Sequence, residues 1–541
     1  MSGLPPFETH CVDNQPPDFA PRDLWSTDIA LREAIQANGA GGFAGDIAAY
    51  ARLAGDTLYR LSFDAHRDRP QLRTHDRFGH RIDRVEFHPS YHAVMQAAIE
   101  HGAAGLSWRD GRPGAHVARA ALSYLHCQVE PGTSCPLTMT HAAVPVLRRE
   151  PGLREWAEKA TAPHYDPREV PIADKAGITL GMGMTEKQGG SDVRANTTIA
   201  TPLGSPGEYA LVGHKWFFSA PMSDGFLVLA QAPGGLTCLL MPRLMPDAAK
   251  NAFRLLRLKD KLGDWSNASS EVEFTGAWAR RIGEEGRGIA TILEMVMLTR
   301  LDCMLGSAAL MRMALAQALH HSRHRHAFGK PLIEQPLMRN VLADLAIETE
   351  GALSLSMRVA RAVDAAPGDP REAAFARIAT AIGKYWICKR APAFVNEAQE
   401  CLGGNGYVEE SLLPRLYRQA PLNSIWEGSG NIQCLDVLRA LSKEPETGAA
   451  LWDELQGAGA VVDTTIGRLR APLMEQAPFD EAGARRLVED VALALQASVL
   501  VRSGSPMADA FCRSRLAEPH RLAFGTLASG IDTDAILVRA L

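Results

Sequence analysis

No apolar run in this 541-residue chain approaches the roughly 18 residues a bilayer-spanning helix needs, and the strongest, Val491 to Val501, is too short, which excludes a membrane span. Met1 to Pro17 carries Glu8, Asp13 and several prolines where a secretion signal needs a basic start and an apolar centre. The nine cysteines are odd in number and never stand as Cys-x-x-Cys, so neither a disulfide framework nor a zinc site is expected and the protein reads as cytoplasmic. A formal net charge of −5 offers no global attraction to nucleic acid or to an anionic membrane. Internal repeats and low-complexity tracts are also missing. With 46% apolar and 22% charged residues, the chain is an ordinary soluble one, long enough for about three or four domains.

Its patterning divides it into four stretches. Residues 1–180 comprise a Pro-, Asp- and Gly-rich arm followed by segments with helical apolar spacing, such as Ile47 to Leu58, Tyr91 to His101 and Ala115 to Gln128. Residues 181–285 alternate or form short β-type runs, as in Tyr209 to Val212 and Gly225 to Leu229, separated by turn signals at Pro206-Gly207, Gly234-Gly235 and Gly263-Asp264. Helical spacing returns over 286–440, which reads as a four-helix bundle. Residues 441–541 form a further helical segment after the Lys443-Glu444-Pro445 break.

Within this frame Ile425-Trp426-Glu427-Gly428-Ser429-Gly430-Asn431 is the most informative string. A carboxylate pressed against apolar neighbours has its charged form disfavoured, which moves it toward the range of a base at neutral pH. The small residues after it let backbone N–H groups approach a phosphate or a carbonyl oxygen. A plain turn gives the same string. A second loop, Met182-Gly183-Met184-Thr185-Glu186-Lys187-Gln188-Gly189-Gly190-Ser191-Asp192, suits the wrapping of a flat ring and its phosphates, or a surface turn. Lys215-Trp216-Phe217-Phe218-Ser219 reads as an aromatic strand ending in a hydroxyl or as β-core. Arg325-His326-Ala327-Phe328-Gly329 ends a helix with an arginine that faces either an anion or the helix dipole. Leu402-Gly403-Gly404-Asn405-Gly406-Tyr407 taken singly is a helix stop.

The order of these five motifs resembles the acyl-CoA dehydrogenase family of flavoproteins, over about residues 90 to 440. The strings GMGMTEKQGGSD, GHKWFFS and PLNSIWEGSGNI, the Asn14-Gln15-Pro16 arm and the added C-terminal segment resemble its AidB-type branch, linked to the bacterial response to DNA alkylation. The resemblance implies an α+β multidomain fold: an N-terminal α-helical domain, a middle β-barrel, a C-terminal four-helix bundle and an extra helical domain. It implies FAD, a homotetramer and Glu427 as the catalytic base that removes the α-proton of an acyl-CoA. The residue-by-residue expectation places Met182, Gly183, Met184, Thr185, Gly190 and Ser191 on the flavin, with Phe217, Phe218 and Ser219 against its ring system. Arg325 and Phe328 reach the FAD of a neighbouring subunit, Gly403 and Gly404 its adenosine half, and Ile425, Trp426, Gly428, Ser429, Gly430 and Asn431 complete the contacts.

The chain departs from the family pattern at several places. The ring-packing Trp falls on Phe217, with Trp216 beside it, and the Thr of that motif is Ser219. Glu400 and Pro336 stand where glutamines are expected, with Gln335 adjacent. Where some relatives carry their base on a bundle helix before an Arg, this chain has Thr299 before Arg300, which leaves Glu427 as the candidate. Trp426 replaces a smaller aromatic and should narrow the acyl pocket toward short or branched substrates of the isovaleryl-CoA kind, or toward another small molecule. The cluster His320, His321, His324 and His326 lacks a carboxylate or Cys at matching spacing, and no metal is expected. A second functional reading is open: a double-stranded-DNA-binding protein that shields DNA from alkylating agents or destroys them, through the C-terminal segment. From Ala440 to Leu541 that segment carries a net four negative charges, so such a face would need a local stripe of Arg468, Arg470, Arg485, Arg486, Arg513, Arg515 and Arg521.

Overall fold

The computed structural model describes residues 9–474, 481–517, 523–528 and 530–541. The N-terminal part is helical, and two of its helices form a buried floor: α1, Ala115–Val129, and α2, Pro131–Arg148. The helical spacing did not announce one feature, an antiparallel ribbon pairing Gln71–His75 with Arg81–Glu86. Its Asp76 carboxylate accepts from the N–H groups of Phe78 and His80, which closes the turn.

Seven strands follow: β1 Leu180–Gly183, β2 Ile199–Pro202, β3 Glu208–Ser219, β4 Gly225–Ala232, β5 Gly235–Pro242, β6 Phe253–Leu258 and β7 Ser269–Ile282. Their order is β1-β4-β2-β3-β7-β5, and the β4–β5 pairing closes the ring into a barrel, with β6 added on β7. Closure removes the edges that an open sheet would expose. Phe218, Phe226, Phe253 and Phe274 fill the barrel, their ring centroids 4.3 to 6.2 Å apart.

Three long helices make the bundle: α3 Gly288–His324, α4 Pro336–Ala365 and α5 Pro370–Glu400. Asp369 begins α5 by accepting from the N–H groups of Arg371 and Glu372, with Pro370 at the first turn, where its missing N–H costs nothing. A shorter helix, α6 Gly430–Lys443, completes the bundle. The C-terminal segment adds α7 Pro445–Leu455, α8 Ala484–Arg502 and α9 Thr533–Ala540. Ion pairs tie it down: Arg358 to Glu454, Arg515 to Asp344 and Glu348, and Arg539 to Glu33 and Glu350.

The barrel and the bundle meet on α2. Thr140 accepts from the Leu180 N–H at the start of β1, and Thr138 donates to Asp302 of α3 across 2.6 Å. Asp302 also pairs with Arg119 of α1, so one buried carboxylate links three helices. No helix among the described residues is long and apolar enough to cross a membrane.

Candidate active site

Glu427 sits in a loop between the turn Leu422–Ser424 and the start of α6. Its φ is +57° and that of Gly428 is +91°. A left-handed non-glycine residue costs roughly 1–2 kcal/mol, so the surroundings must hold it. Donors from three helices do so. Arg300 Nε of α3 donates to the Glu427 carbonyl at 3.1 Å. Gln433 Nε2 of α6 reaches the same carbonyl at 3.1 Å and that of Gly428 at 2.9 Å. Lys384 Nζ of α5 donates to the carbonyls of Trp426 at 2.8 Å and of Gly428 at 2.5 Å. Gly428 has no room for a side chain, because a Cβ there would lie 2.7 Å from Gln433 Nε2.

The Glu427 carboxylate accepts from Thr299 Oγ1 across 2.7 Å. Burial pushes its pKa up, while the Thr299 hydrogen bond and the charges of Lys384 and Arg300 pull the other way. The net result is a carboxyl that binds its proton more tightly than an ordinary glutamate. Trp426 Nε1 donates to Asn423 Oδ1 at 3.0 Å, which fixes the indole beside the base.

The loop at 184–191 docks on β3 through the Trp216 N–H, which donates to the Thr185 carbonyl at 2.8 Å. Glu186 anchors it from below. Burial alone would push this carboxyl up, but Lys215 Nζ at 2.8 Å and the N–H and hydroxyl groups of Thr197 and Thr198 hold it below the ordinary carboxylate range. Lys215 and Glu186 are both fully buried. The β3–β7 register slips between Lys215 and Phe218, a bulge that turns both Trp216 and Phe217 outward. Lys259 Nζ lies 3.2 Å from the Trp216 ring centre and 4.7 Å from that of Phe217. Phe217 and Ser219, two residues apart on β3, share one face of that strand, next to the residue whose N–H holds Thr185. Phe218 does not: its ring is fully buried in the barrel, which removes its side chain from the expected cofactor contacts.

Ser191, Gly403 and Gly404 are exposed, and space is open around the two glycines. Ser429 enters α6 in extended backbone with no side-chain cap, leaving the first N–H groups of that helix to other acceptors. Arg325 and Phe328 are elsewhere. Arg325, the cap residue of α3, stands about 39 Å from Thr299 at 1.5 Å per residue, and Phe328 follows it beyond the helix, too far to share one site with Glu427 within a protomer. Asn14 straps this end by accepting from the His326 N–H and from Arg325 Nη1, and Phe328 projects almost fully into solvent.

Toward the other end of α3, Arg194, Gln231, Arg287 and Arg439 line a cleft of about 500 Å³. These three arginines are exposed and enter no ion pair among the described residues. Neither this cleft nor the three-donor clasp on the base loop was singled out from sequence. Lys384 was detectable only as a lone cation in the apolar run Ala379 to Ile387.

Residues 14–167 match the family described as Adaptive response protein AidB N-terminal domain, 181–277 the Acyl-CoA dehydrogenase middle domain and 286–442 the Acyl-CoA dehydrogenase C-terminal domain. AidB of Escherichia coli (strain K12) is 47% identical over 521 residues, covering 94% of this chain and 95% of that one. Acyl-CoA dehydrogenase family member 11 of Caenorhabditis elegans is 30% identical over 414 residues, 74% of this chain and 67% of the relative. The crystal structure of Caenorhabditis elegans ACDH-11 in complex with C11-CoA superposes with a TM-score of 0.86 at 25% identity, covering 95% and 94% of the two chains. The chain therefore belongs to the acyl-CoA dehydrogenase family, FAD-dependent oxidoreductases, and within it to the AidB type.

The residues present fit a flavin dinucleotide. An outward aromatic face at Phe217 suits the ring system, the hydroxyls of Thr185 and Ser191 suit its polar edge, and the uncapped start of α6 suits a phosphate. Among the described residues no group of three His, Cys, Asp or Glu could hold a metal, and His320 instead bonds the Pro17 carbonyl.

Proposed function

We propose that the protein dehydrogenates a short or branched acyl-CoA of the isovaleryl-CoA kind, with Glu427 as base. The observation that carries this reading is the half-buried Glu427 carboxylate, its proton affinity raised, held by Thr299 in a loop clasped from three helices. FAD, when bound, would supply the two-electron acceptor for the hydride lost from Cβ. Glu427 takes the proton from Cα, and its raised proton affinity is what a weak carbon acid requires of its base. The Glu427 N–H, which has no backbone acceptor among the described residues, is the donor assigned to the thioester oxygen as charge gathers there.

Met182, Gly183, Met184, Thr185, Gly190 and Ser191 hold the cofactor with Phe217 and Ser219. Ile425, Trp426 and Gly428 to Asn431 close it from the bundle side. Arg325, Phe328, Gly403 and Gly404 serve the cofactor of a second copy in a homotetramer, a role supported by the distance between Arg325 and Glu427 within one chain. The arginine cleft receives the phosphates of coenzyme A. Arg287 and Thr299 lie on one helix about 18 Å apart, so a thioester at Glu427 can extend its carrier along α3 toward the guanidinium groups. The Caenorhabditis elegans structure holds C11-CoA, whereas Trp426 here supports a shorter acyl group. The nine unpaired cysteines support a cytoplasmic setting.

A second reading is double-stranded-DNA binding that shields DNA from alkylating agents or destroys them, supported by the exposed Arg468, Arg470, Arg485 and Arg486 of the C-terminal segment. Arg515 has no part in such a face, being 8% exposed and bound to Asp344 and Glu348. Arg513 bonds the Gly530 carbonyl, and Arg521 lies outside the described residues. An anaerobic screen of acyl-CoA thioesters for bleaching of the flavin, with and without duplex DNA, separates the readings. Bleaching by a short branched thioester alone supports dehydrogenation, and no bleaching by any thioester removes it.

A further inference from the structure

We propose that Lys384 sets both the position and the proton affinity of Glu427, making it a positioning residue for the base; this rests on the reading of Glu427 given above. Lys384 lies in the middle of α5 at 1% exposure. An ammonium group buried to that degree is expensive unless an opposite charge compensates it. Yet Lys384 forms no ion pair with any carboxylate among the described residues. Its acceptors are the carbonyls of Trp426 and Gly428, on either side of Glu427. Two carbonyls need only neutral donors, and Gln433 already supplies one to Gly428. The cation has a reason to be there if the anion it balances is the Glu427 carboxylate itself.

The other groups around the carboxylate leave that role to Lys384. From α3, Thr299 is neutral, and Arg300 is engaged with Asp436 at 2.6 Å, which Arg377 also binds. Asp302 is paired with Arg119. The thiols of Cys135 on α2 and Cys303 on α3 are buried and stay protonated, the first pushed up to about 12 and the second above its usual value. Lys384, on α5, is thus the one cation facing Glu427 that no carboxylate engages among the described residues. Burial drives the base toward its protonated form and Lys384 opposes it. Once Glu427 has taken a proton the ammonium is left without its counter-charge, which favours release of that proton and return of the ionised base.

The same two hydrogen bonds explain the backbone. By gripping the Trp426 carbonyl the ammonium fixes the peptide plane before Glu427, and by gripping the Gly428 carbonyl it fixes the plane after Gly428, while Arg300 and Gln433 hold the Glu427 carbonyl between them. A shorter neutral side chain can keep one grip but not the charge.

The test follows the Glu427 carboxyl directly in the purified flavoprotein by pH-difference infrared spectroscopy, with the band assigned by its loss in Glu427→Gln. In Lys384→Gln, which keeps a donor and removes the charge, the protonation midpoint should move to higher pH by about one unit, the size expected for one nearby opposite charge. Lys384→Arg should keep most of the wild-type midpoint. Under anaerobic mixing with isovaleryl-CoA, the acid limb of flavin reduction should shift with the infrared midpoint. An unchanged midpoint in folded, yellow Lys384→Gln overturns the proposal. So does failure of both variants to accumulate as folded flavoprotein, because Lys384 would then serve the fold rather than the base. Flavin reduction that survives Glu427→Gln would remove the base reading itself, whatever the infrared midpoints show.

Discussion

Replacing Thr299 with Val keeps the shape of the side chain and removes one hydroxyl, and the consequence can be worked from two distances. Thr299 Oγ1 lies 2.7 Å from Glu427 Oε2 and 2.9 Å from the Val296 carbonyl. One hydroxyl has one proton to give. With Glu427 ionised it donates to the carboxylate, and with Glu427 protonated it can accept from the carboxyl and turn its own proton to Val296. A hydrogen bond to a charged group contributes about 1.5–3 kcal/mol, and a neutral one about 1 kcal/mol. The difference, about 0.5–2 kcal/mol, favours the ionised base, so Thr299→Val should disfavour ionisation by about 2- to 30-fold. Stopped-flow flavin reduction by isovaleryl-CoA across pH reads this out. The variant should be slower by about that factor below the acid limb and approach wild type above it, with Thr299→Ser close to wild type throughout. A loss equal at all pH values, or none at any, would refute the reasoning.

Three further expectations concern other parts of the structure. Lys215→Met strands Glu186 in the barrel wall and should cost about 3–5 kcal/mol, read as a lower denaturant midpoint together with faster FAD loss; a cost under about 1 kcal/mol would contradict the pairing. Arg287→Glu combined with Arg194→Glu should raise the KM for an acyl-CoA at least about tenfold with little change in kcat, whereas an unchanged KM would empty the cleft of its assigned role. Glu427→Gln should stabilise the fold at alkaline pH but not at acid pH. The folded-state pKa of this carboxyl lies above its unfolded value, so the wild type is fully stable below the unfolded pKa and loses stability as pH rises through the folded one. Thermal unfolding at both pH extremes checks the sign.

Much of the architecture is legible in the residues because the periodicities change cleanly, from helical spacing before 165 to alternation in the barrel strands and back at Gly288. The ribbon at 71–86 escaped because its strands are short and heavily charged, and a hairpin of that kind carries little apolar alternation. The base loop was readable from a carboxylate flanked by Trp426 and Gly428. What holds it was not, since Lys384 and Glu427 are brought together only by the packing of α5 against the loop. Trp216 and Phe217 share an outward face because a bulge breaks the alternation, and no count of residues along β3 predicts where a bulge falls. Arg515 looked like one of a row of surface arginines until tertiary packing placed it against two carboxylates of α4.

The most direct test of the central claim is anaerobic mixing of the FAD-loaded Glu427→Gln protein with isovaleryl-CoA, followed at the flavin absorbance beside wild type. The account predicts bleaching in wild type and a variant that binds FAD normally yet stays yellow. Bleaching of the variant at the wild-type rate would show that another group takes the proton and would contradict the account.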